Sequence, residues 1–191
     1  MRGGWISTCL FLINEKTKKN MSCNQTLSGI ARDCDPSMGG IVEALIANFE
    51  DVTAKTVSSN IITAITMATS AKFKRYAFPR NTGSLTSNYT LDLPNGVRYV
   101  VSDLVLMFSK MDTAKRVEIT ALAQNDLVVI VKDANGKYWY LGYDEPVNAS
   151  ASDGVTGTAR SDRNGYSVTL QDTSHEMPYE VDEDIIENLV G

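Results

Sequence analysis

The sequence is poor in the residues from which most enzyme sites are built. It has one histidine and three cysteines among 191 residues, which leaves few ingredients for a metal site or a histidine-based catalytic triad. No apolar run approaches the roughly 20 residues that a membrane-spanning helix needs. The net charge of −5 disfavours tight nucleic-acid binding, since phosphate recognition depends on clustered Lys and Arg. The 43% hydrophobic and 21% charged fractions exclude wholesale disorder and a coiled coil.

The first twenty residues differ in charge from the rest of the chain. Residues 1–20 carry a net charge of +3, whereas residues 21–191 carry −8. The apolar stretch 5–13 is compatible with a secretory signal, but no small-residue cleavage site follows it. The lysine-rich tract just before Met21 instead favours a translated leader or upstream-start extension. We therefore expect 1–20 to be such an extension and 21–191 to form a single β-rich domain with an acidic C-terminal tail.

The sequence contains no recognisable constellation of catalytic residues. A cysteine hydrolase would pair His175 with Cys9, Cys23 or Cys34, and no nucleophile motif surrounds any of these cysteines. Asp133-Ala-Asn-Gly lacks the remaining ligands of a calcium loop and is typical of a hairpin turn. The sequence therefore predicts a non-enzymatic protein with no catalytic, cofactor-binding or metal-binding residues.

The middle of the chain predicts three long antiparallel strands. Large apolar residues alternate with basic ones over 72–78, as expected of a strand with one buried and one wet face. The same basic and aromatic residues also suit a nucleic-acid-binding strand, which the net negative charge disfavours. Residues 84–92 alternate again, and a Pro-Asn-Gly turn separates them from the β-prone run 97–108.

The second half of the chain predicts a helix and a tight hairpin. Residues 111–125 suit a helix with Asp112 as its N-cap, although part of this stretch is equally compatible with a strand. Two β-prone runs, 127–132 and 137–143, flank a turn with Asn135 and Gly136 at its tip. We expect a positive φ at the glycine of this turn.

Weaker signals complete the predicted fold class. The stretch 41–49 suits either a helix or a strand, whereas the β-branched run 61–68 favours a strand. Residues 147–161 predict a long loop rich in Ser and Ala, and the acidic tail from 171 predicts one short amphipathic helix. We therefore expect a mainly β fold: a β-sandwich or partial β-barrel with one flanking α-helix and long antiparallel strands.

Several motifs follow one another in a recognisable order. The first is Lys72-Phe-Lys-Arg-Tyr-Ala-Phe78, and the full set covers the segments 72–78, 84–96, 99–110, 111–123, 126–142 and 155–170. This succession resembles the tail tube (major tail) proteins and related structural proteins of tailed phages and prophages of gut Bacteroidetes. The resemblance covers about residues 38–180 and rests on the order of the motifs rather than on an invariant signature.

The resemblance implies a tail-tube-like fold and a structural role in the virion. Subunits of this family form rings, usually hexameric, that stack into a tube through which DNA passes without specific binding. The implied partners are further copies of the chain and other phage tail proteins, with no membrane and no cofactor. The implied location is the virion tail, after synthesis in the cytoplasm of the bacterial host. The net negative charge of residues 21–191 agrees with a tube lumen that does not bind the phosphate groups of DNA.

Long uncovered strands invite pairing with another chain, so we expect assembly through the strands of 72–108. The residues that we predict to lie on oligomer-interface or core strands are Tyr76, Phe78, Thr86, Tyr89 and Leu91.

Two other functions remain open. A head–tail connector or decoration protein would share the β-rich, acidic character. A secreted β-sandwich binding module would need 1–20 to act as a signal.

Overall fold

The structure of the protein is a computed structural model, which describes residues 27–92 and 94–191. The predicted leader 1–20, with Cys9, and also Cys23 lie outside the described residues. Residues 27–35 belong to a separate unit from 36–191, contain no helix or strand and are exposed. In the described residues the fold is mainly β, with 50% strand and 13% helix, two sheets and no closed barrel. The expected mainly β fold with a flanking helix is therefore confirmed.

One sheet has seven strands, of which all neighbours except one pair are antiparallel. In spatial order its strands are β2 (Val52–Ser58), β3 (Ile61–Met67), β11 (Tyr179–Val181), β8 (Tyr138–Leu141), β7 (Leu127–Asp133), β1 (Ile41–Asn48) and β4 (Lys74–Tyr76). The exception is the parallel pair of β11 with β3.

The other sheet has four strands and is antiparallel throughout. In spatial order its strands are β5 (Ser84–Asp92), β6 (Val97–Ser109), β10 (Gly165–Ser174) and β9 (Asn148–Val155). A short 3₁₀ turn, Phe49–Asp51, follows β1, and the two α-helices are α1 (Thr113–Gln124) and α2 (Glu183–Leu189). The Oδ1 of Asp112 accepts a hydrogen bond from the Lys115 amide at 2.8 Å, which confirms the predicted N-cap of α1.

The seven-stranded sheet is buried on both faces. Val129 and Val131 of β7 belong to the core between the two sheets, whereas Val128 and Ile130 belong to a second core. That second core is completed by Ile186 and Leu189 of α2. Burial on both faces explains why β7 is a continuous apolar run instead of an alternating one.

Two sequence-based predictions about strand boundaries are wrong. The expected strand 72–78 is reduced to β4, which pairs with β1 and not with β5. The reason is that Phe73 is fully buried in the α2-side core, whereas Tyr76 and Phe78 pack against the core between the sheets. The alternation therefore marks a segment that contributes to both cores. The β5–β6 hairpin itself is confirmed.

The expected loop 147–161 is also wrong, because most of it forms β9. The residues of β9 are small and have low strand propensity. Hydrogen bonding to β10 therefore stabilises the strand conformation that their local preference does not favour. The ambiguous stretch 41–49 is resolved as the strand β1, and 61–68 forms β3 as predicted. The strands β2 and β11 were not predicted.

Candidate assembly surface

The four-stranded sheet has one buried face and one open face. Along β6, Val100, Ser102, Leu104 and Leu106 are completely buried, and the residues between them are only half-buried. Since directly paired residues in antiparallel strands point to the same side, the register assigns every residue of this sheet to one face. The open face is therefore known residue by residue.

Polar and small side chains dominate this open face, and it contains no Lys or Arg. Its residues on β5 and β6 are Ser84, Thr86, Asn88, Thr90, Asp92, Val97, Tyr99, Val101, Asp103, Val105, Met107 and Ser109. Its main residues on β10 and β9 are Ser167, Thr169, Gln171, Thr173, Asn148, Ala151 and Asp153. The Nε2 of Gln171 donates to the Oδ1 of Asp103 at 2.8 Å, and Asp153 is paired with Arg163 from the adjoining loop. The strands of this face thus contribute acidic groups and no cation, and Arg163 reaches the face from the adjoining loop.

The two outer strands of this sheet, β5 and β9, lack the basic residues and prolines that commonly protect sheet edges, although α1 lies close to β9. Neither contains Lys, Arg or Pro, and β5 pairs with β6 over nine residues without a bulge. From Ser150 to Gly154 every residue of β9 is exposed, and β9 has one irregularity opposite Thr169 and Leu170. Long edge strands without Lys, Arg or Pro are competent to pair with another chain.

The outer strands of the seven-stranded sheet are protected. The strand β2 has two register shifts and directs Lys55 toward the β8–β9 connection. The strand β4 is three residues long and includes Lys74 and Arg75. Bulges, short strands and basic residues are the devices that prevent edge-to-edge pairing. The difference between the two sheets points to the four-stranded sheet as the candidate assembly surface.

The structure separates the five residues that the sequence singled out. Tyr76 and Phe78 pack against the core between the sheets, next to the short strand β4. Thr86, Tyr89 and Leu91 all lie on β5, the unprotected edge of the four-stranded sheet. The five residues therefore do not form one site, and only the last three lie on the candidate assembly surface.

The β5–β6 hairpin extends beyond the rest of its sheet. Pairing between β6 and β10 stops at Val100, so residues 97–99 pair with β5 alone. As a result Tyr89 and Leu91 face the inner side with little beneath them and are 53% and 51% exposed. These half-exposed apolar residues lie in a projecting hairpin.

The predicted turn residues lie in the β7–β8 connection. Gly136 has φ +88°, as the turn prediction required. Asn135 has a second role that the sequence did not reveal, because its side chain both accepts from the Met38 amide at 2.8 Å and donates to the Met38 carbonyl at 3.1 Å. The turn thereby anchors the segment that leads into β1.

A buried polar cluster lies where β8 and β10 end. Asp172 is 2% exposed, and burial raises the pKa of its carboxyl to about 6. The ammonium of Lys55 donates to the Tyr143 carbonyl at 2.6 Å and lies 4.7 Å from the centre of the Tyr143 ring. Desolvation lowers the pKa of Lys55, and the nearby carboxylates of Asp144 and Asp172 oppose that shift. The cluster fastens β2 to the β8–β9 connection.

The described residues also form a groove beside α1. This groove of about 480 Å³ runs between β4 and α1, where the Tyr76 hydroxyl donates to Glu118, and burial together with this carboxylate raises the pKa of Tyr76. In the part of the chain that the structure describes, no three His, Cys, Asp or Glu residues are grouped to hold a metal ion. The described helices include none long and apolar enough to cross a membrane.

Comparison with known proteins supplies no relative. No family model matches the chain, and neither a curated protein nor a solved structure matches it at a significant level. The function must therefore be inferred from the surfaces of the molecule and from the resemblance of its motifs.

Proposed function

We propose that this chain is a non-enzymatic virion structural protein, the subunit of a tail tube that assembles from stacked rings. The observation that carries the proposal is the contrast between protected edges in one sheet and two unprotected edges in the other. A monomeric protein has reason to protect every edge. A ring subunit needs two free edges, one for each neighbour.

The strand directions of the four-stranded sheet favour ring closure. Because its strands alternate in direction and are even in number, β5 and β9 run in opposite directions. When copies are related by rotation about an axis roughly parallel to the strands, β9 of one copy meets β5 of the next as an antiparallel pair. Repetition of this head-to-tail contact around an axis closes a ring.

The open face suits the lining of a DNA conduit. Six copies would contribute roughly 24 strands, and at about 4.8 Å per strand these would span a circumference of about 115 Å. Barrels of 16–18 strands already enclose an aqueous channel. With the core on the outer side, the face without Lys or Arg would point into the channel. The strands would offer phosphate groups no cation, and Arg163 is already paired with Asp153, so DNA could pass without being held.

A pair of matched threonine substitutions tests the proposal. Thr86→Lys places a charge on the unprotected edge strand β5, and Thr56→Lys places the same charge on the protected edge strand β2; both threonines are exposed. We expect the wild-type protein and Thr56→Lys to form rings and tubes in negative-stain electron microscopy. We expect Thr86→Lys to remain a folded monomer, because charged edge residues oppose strand pairing.

Circular dichroism of both variants verifies that the fold is retained. A wild-type chain that stays monomeric at concentrations where tail proteins assemble would contradict the proposal and favour a decoration or binding-module role. Equal loss of rings in both variants would place the interface elsewhere on the molecule.

A further inference from the structure

The topology of the four-stranded sheet determines which connections share each of its ends. The strands β5 and β10 run toward one end, here called the upper end, and β6 and β9 run toward the other, the lower end. The connections at the upper end are 93–96, 142–147 and 175–178. The connections at the lower end are 77–83, 110–112 and 156–164.

The two ends have opposite charge. The three upper connections contain Asp144, Glu145 and Glu176 and no Lys or Arg. The three lower connections contain four basic residues and two acids; the basic residues are Arg80, Lys110, Arg160 and Arg163, and the acids are Asp112 and Asp162. The upper connections are therefore net negative and the lower connections are net positive.

The lower end stays net positive after pairing within the chain, although Arg163 is paired with Asp153 of β9. Asp162 accepts hydrogen bonds from the Thr158 and Ala159 amides at 2.8 and 2.7 Å, and Asp112 caps α1 and pairs with Lys115. The carboxylate of Asp162 stays charged, but Arg80, Lys110 and Arg160 outnumber it. Arg80 and Arg160 are exposed and form no ion pair within the described residues.

The upper end also presents apolar surface. Met177 in the connection after β10 is 48% exposed, and the projecting hairpin adds the half-exposed Tyr89 and Leu91. Burial of such side chains stabilises a contact without specifying its partner. The charges around them supply the specificity.

We propose that the upper end of one copy docks on the lower end of a second copy of this chain, with opposite charges facing each other. A head-to-tail arrangement brings the acidic connections against Arg80, Lys110 and Arg160. Head-to-head and tail-to-tail arrangements would face like charges and are disfavoured. Because the two contacting surfaces differ, the contact does not close on itself and propagates along the strand direction.

This inference rests on the proposed function, since a closed ring would repeat the contact once per subunit and make ring stacking cooperative. Each exposed charge pair is weak and is screened by salt. Repetition around the ring converts weak pairs into a strong, salt-sensitive contact between rings.

A charge-reversal experiment separates stacking from ring formation. The upper variant carries Glu145→Lys and Glu176→Lys, the lower variant carries Arg80→Glu and Arg160→Glu, and a combined variant carries all four substitutions. We expect each single-end variant to form rings but to shorten the stacks by about tenfold, because like charges then face each other. We expect the combined variant to restore long stacks, since its ends are again complementary. Negative-stain electron microscopy gives ring number per stack, and sedimentation measures the same distribution in solution.

The controls distinguish the possible failures. About 1 M salt, which reduces the Debye length to about 3 Å, should shorten wild-type stacks and reduce the difference between variants. Rings that stack to the same length in every variant would overturn the inference and leave the proposed ring subunit intact. A wild-type chain that forms no rings would overturn both. Loss of stacks in the combined variant, with its rings intact, would show that the reversed charges do not face each other and would also overturn the inference.

Discussion

The two sheets of this protein differ in burial: the seven-stranded sheet is covered on both faces, whereas the four-stranded sheet has one exposed face. The seven-stranded sheet has apolar cores on both faces, and its outer strands are short, bulged or basic. The four-stranded sheet has one core face, one open polar face and two outer strands without Lys, Arg or Pro. The first arrangement stabilises a single chain, whereas the second leaves backbone hydrogen-bonding groups available to another chain. The contrast teaches that an edge has to be compared with the other edges of its own molecule before it is interpreted.

The largest expected effect on stability compares one valine from each sheet. Val129 in β7 is completely buried, and Val101 in β6 faces the open side and is half-buried. We expect Val129→Ala to lower the free energy of unfolding by about 2 kcal/mol, because it removes buried methyl groups and leaves a cavity. We expect Val101→Ala to cost less than about 1 kcal/mol. Urea unfolding of monomeric protein measures both values.

Assembly must not contribute to this comparison. Measurement in the Thr86→Lys background, at low concentration, removes the stabilisation that a partner subunit would add. If the two valine variants lose equal stability there, the open face is more closely packed than its exposure indicates, and the proposed division between the sheets fails.

The sequence is sufficient to predict the parts of the fold whose signals are local. The β7–β8 hairpin, the N-cap of α1 and the β5–β6 hairpin each combine a turn or cap signal with a clear residue pattern. The amphipathic tail likewise forms α2, which follows the unpredicted short strand β11. Local chemistry determined these elements, and the surrounding fold did not override it.

The parts that could not be predicted depend on distant partners. The residues of β9 are small and polar and become a strand only because β10 lies beside them. The segment around Phe73 alternates like one long strand, but its aromatic residues enter two different cores. The candidate assembly surface was only partly predicted for the same reason: Thr86, Tyr89 and Leu91 lie on it, whereas the role of β9 requires knowledge of the sheet order.

A pH-dependent prediction concerns Asp172, which lies at the junction between the sheets. Burial raises the pKa of its carboxyl from 3.8 to about 6 in the folded chain. The folded state then binds a proton more tightly than the unfolded state, so the free energy of unfolding should rise as pH falls from 6 to about 4. Asp172→Asn should remove this rise and stabilise the chain at pH 7.5 by roughly 2 kcal/mol, since two pKa units correspond to at most about 3 kcal/mol.

The measurement is urea unfolding between pH 4 and pH 7.5. Glu187→Gln is the matched control, because it neutralises an exposed acid that does not contribute to the shifted pKa of Asp172 and should leave the pH dependence in place. If the pH dependence is unchanged in Asp172→Asn, the titrating group lies elsewhere. If Asp172→Asn is less stable than wild type at pH 7.5, the attraction between Lys55 and the carboxylate outweighs the cost of burial.

The smallest expected effect compares two glycines, one in a hairpin turn of each sheet. Gly136 in the β7–β8 turn and Gly96 in the β5–β6 turn have φ of +88° and +66°, and an added Cβ would meet no atom within 4 Å at either position. Alanine therefore introduces the same conformational strain at both turns, about 1 kcal/mol.

We expect Gly136→Ala to lower the free energy of global unfolding by about that amount, because β7 and β8 are held in the two cores. We expect Gly96→Ala to lower it by clearly less, since the projecting hairpin can relax without unfolding the sheet. Gly39→Ala, at an equally open position without a positive φ, should change stability by less than about 0.5 kcal/mol in urea unfolding. Equal losses of unfolding free energy in Gly136→Ala and Gly96→Ala would mean that the projecting hairpin unfolds only together with the rest of the chain. The two sheets, including the edge strand β5, would then form one cooperative unit.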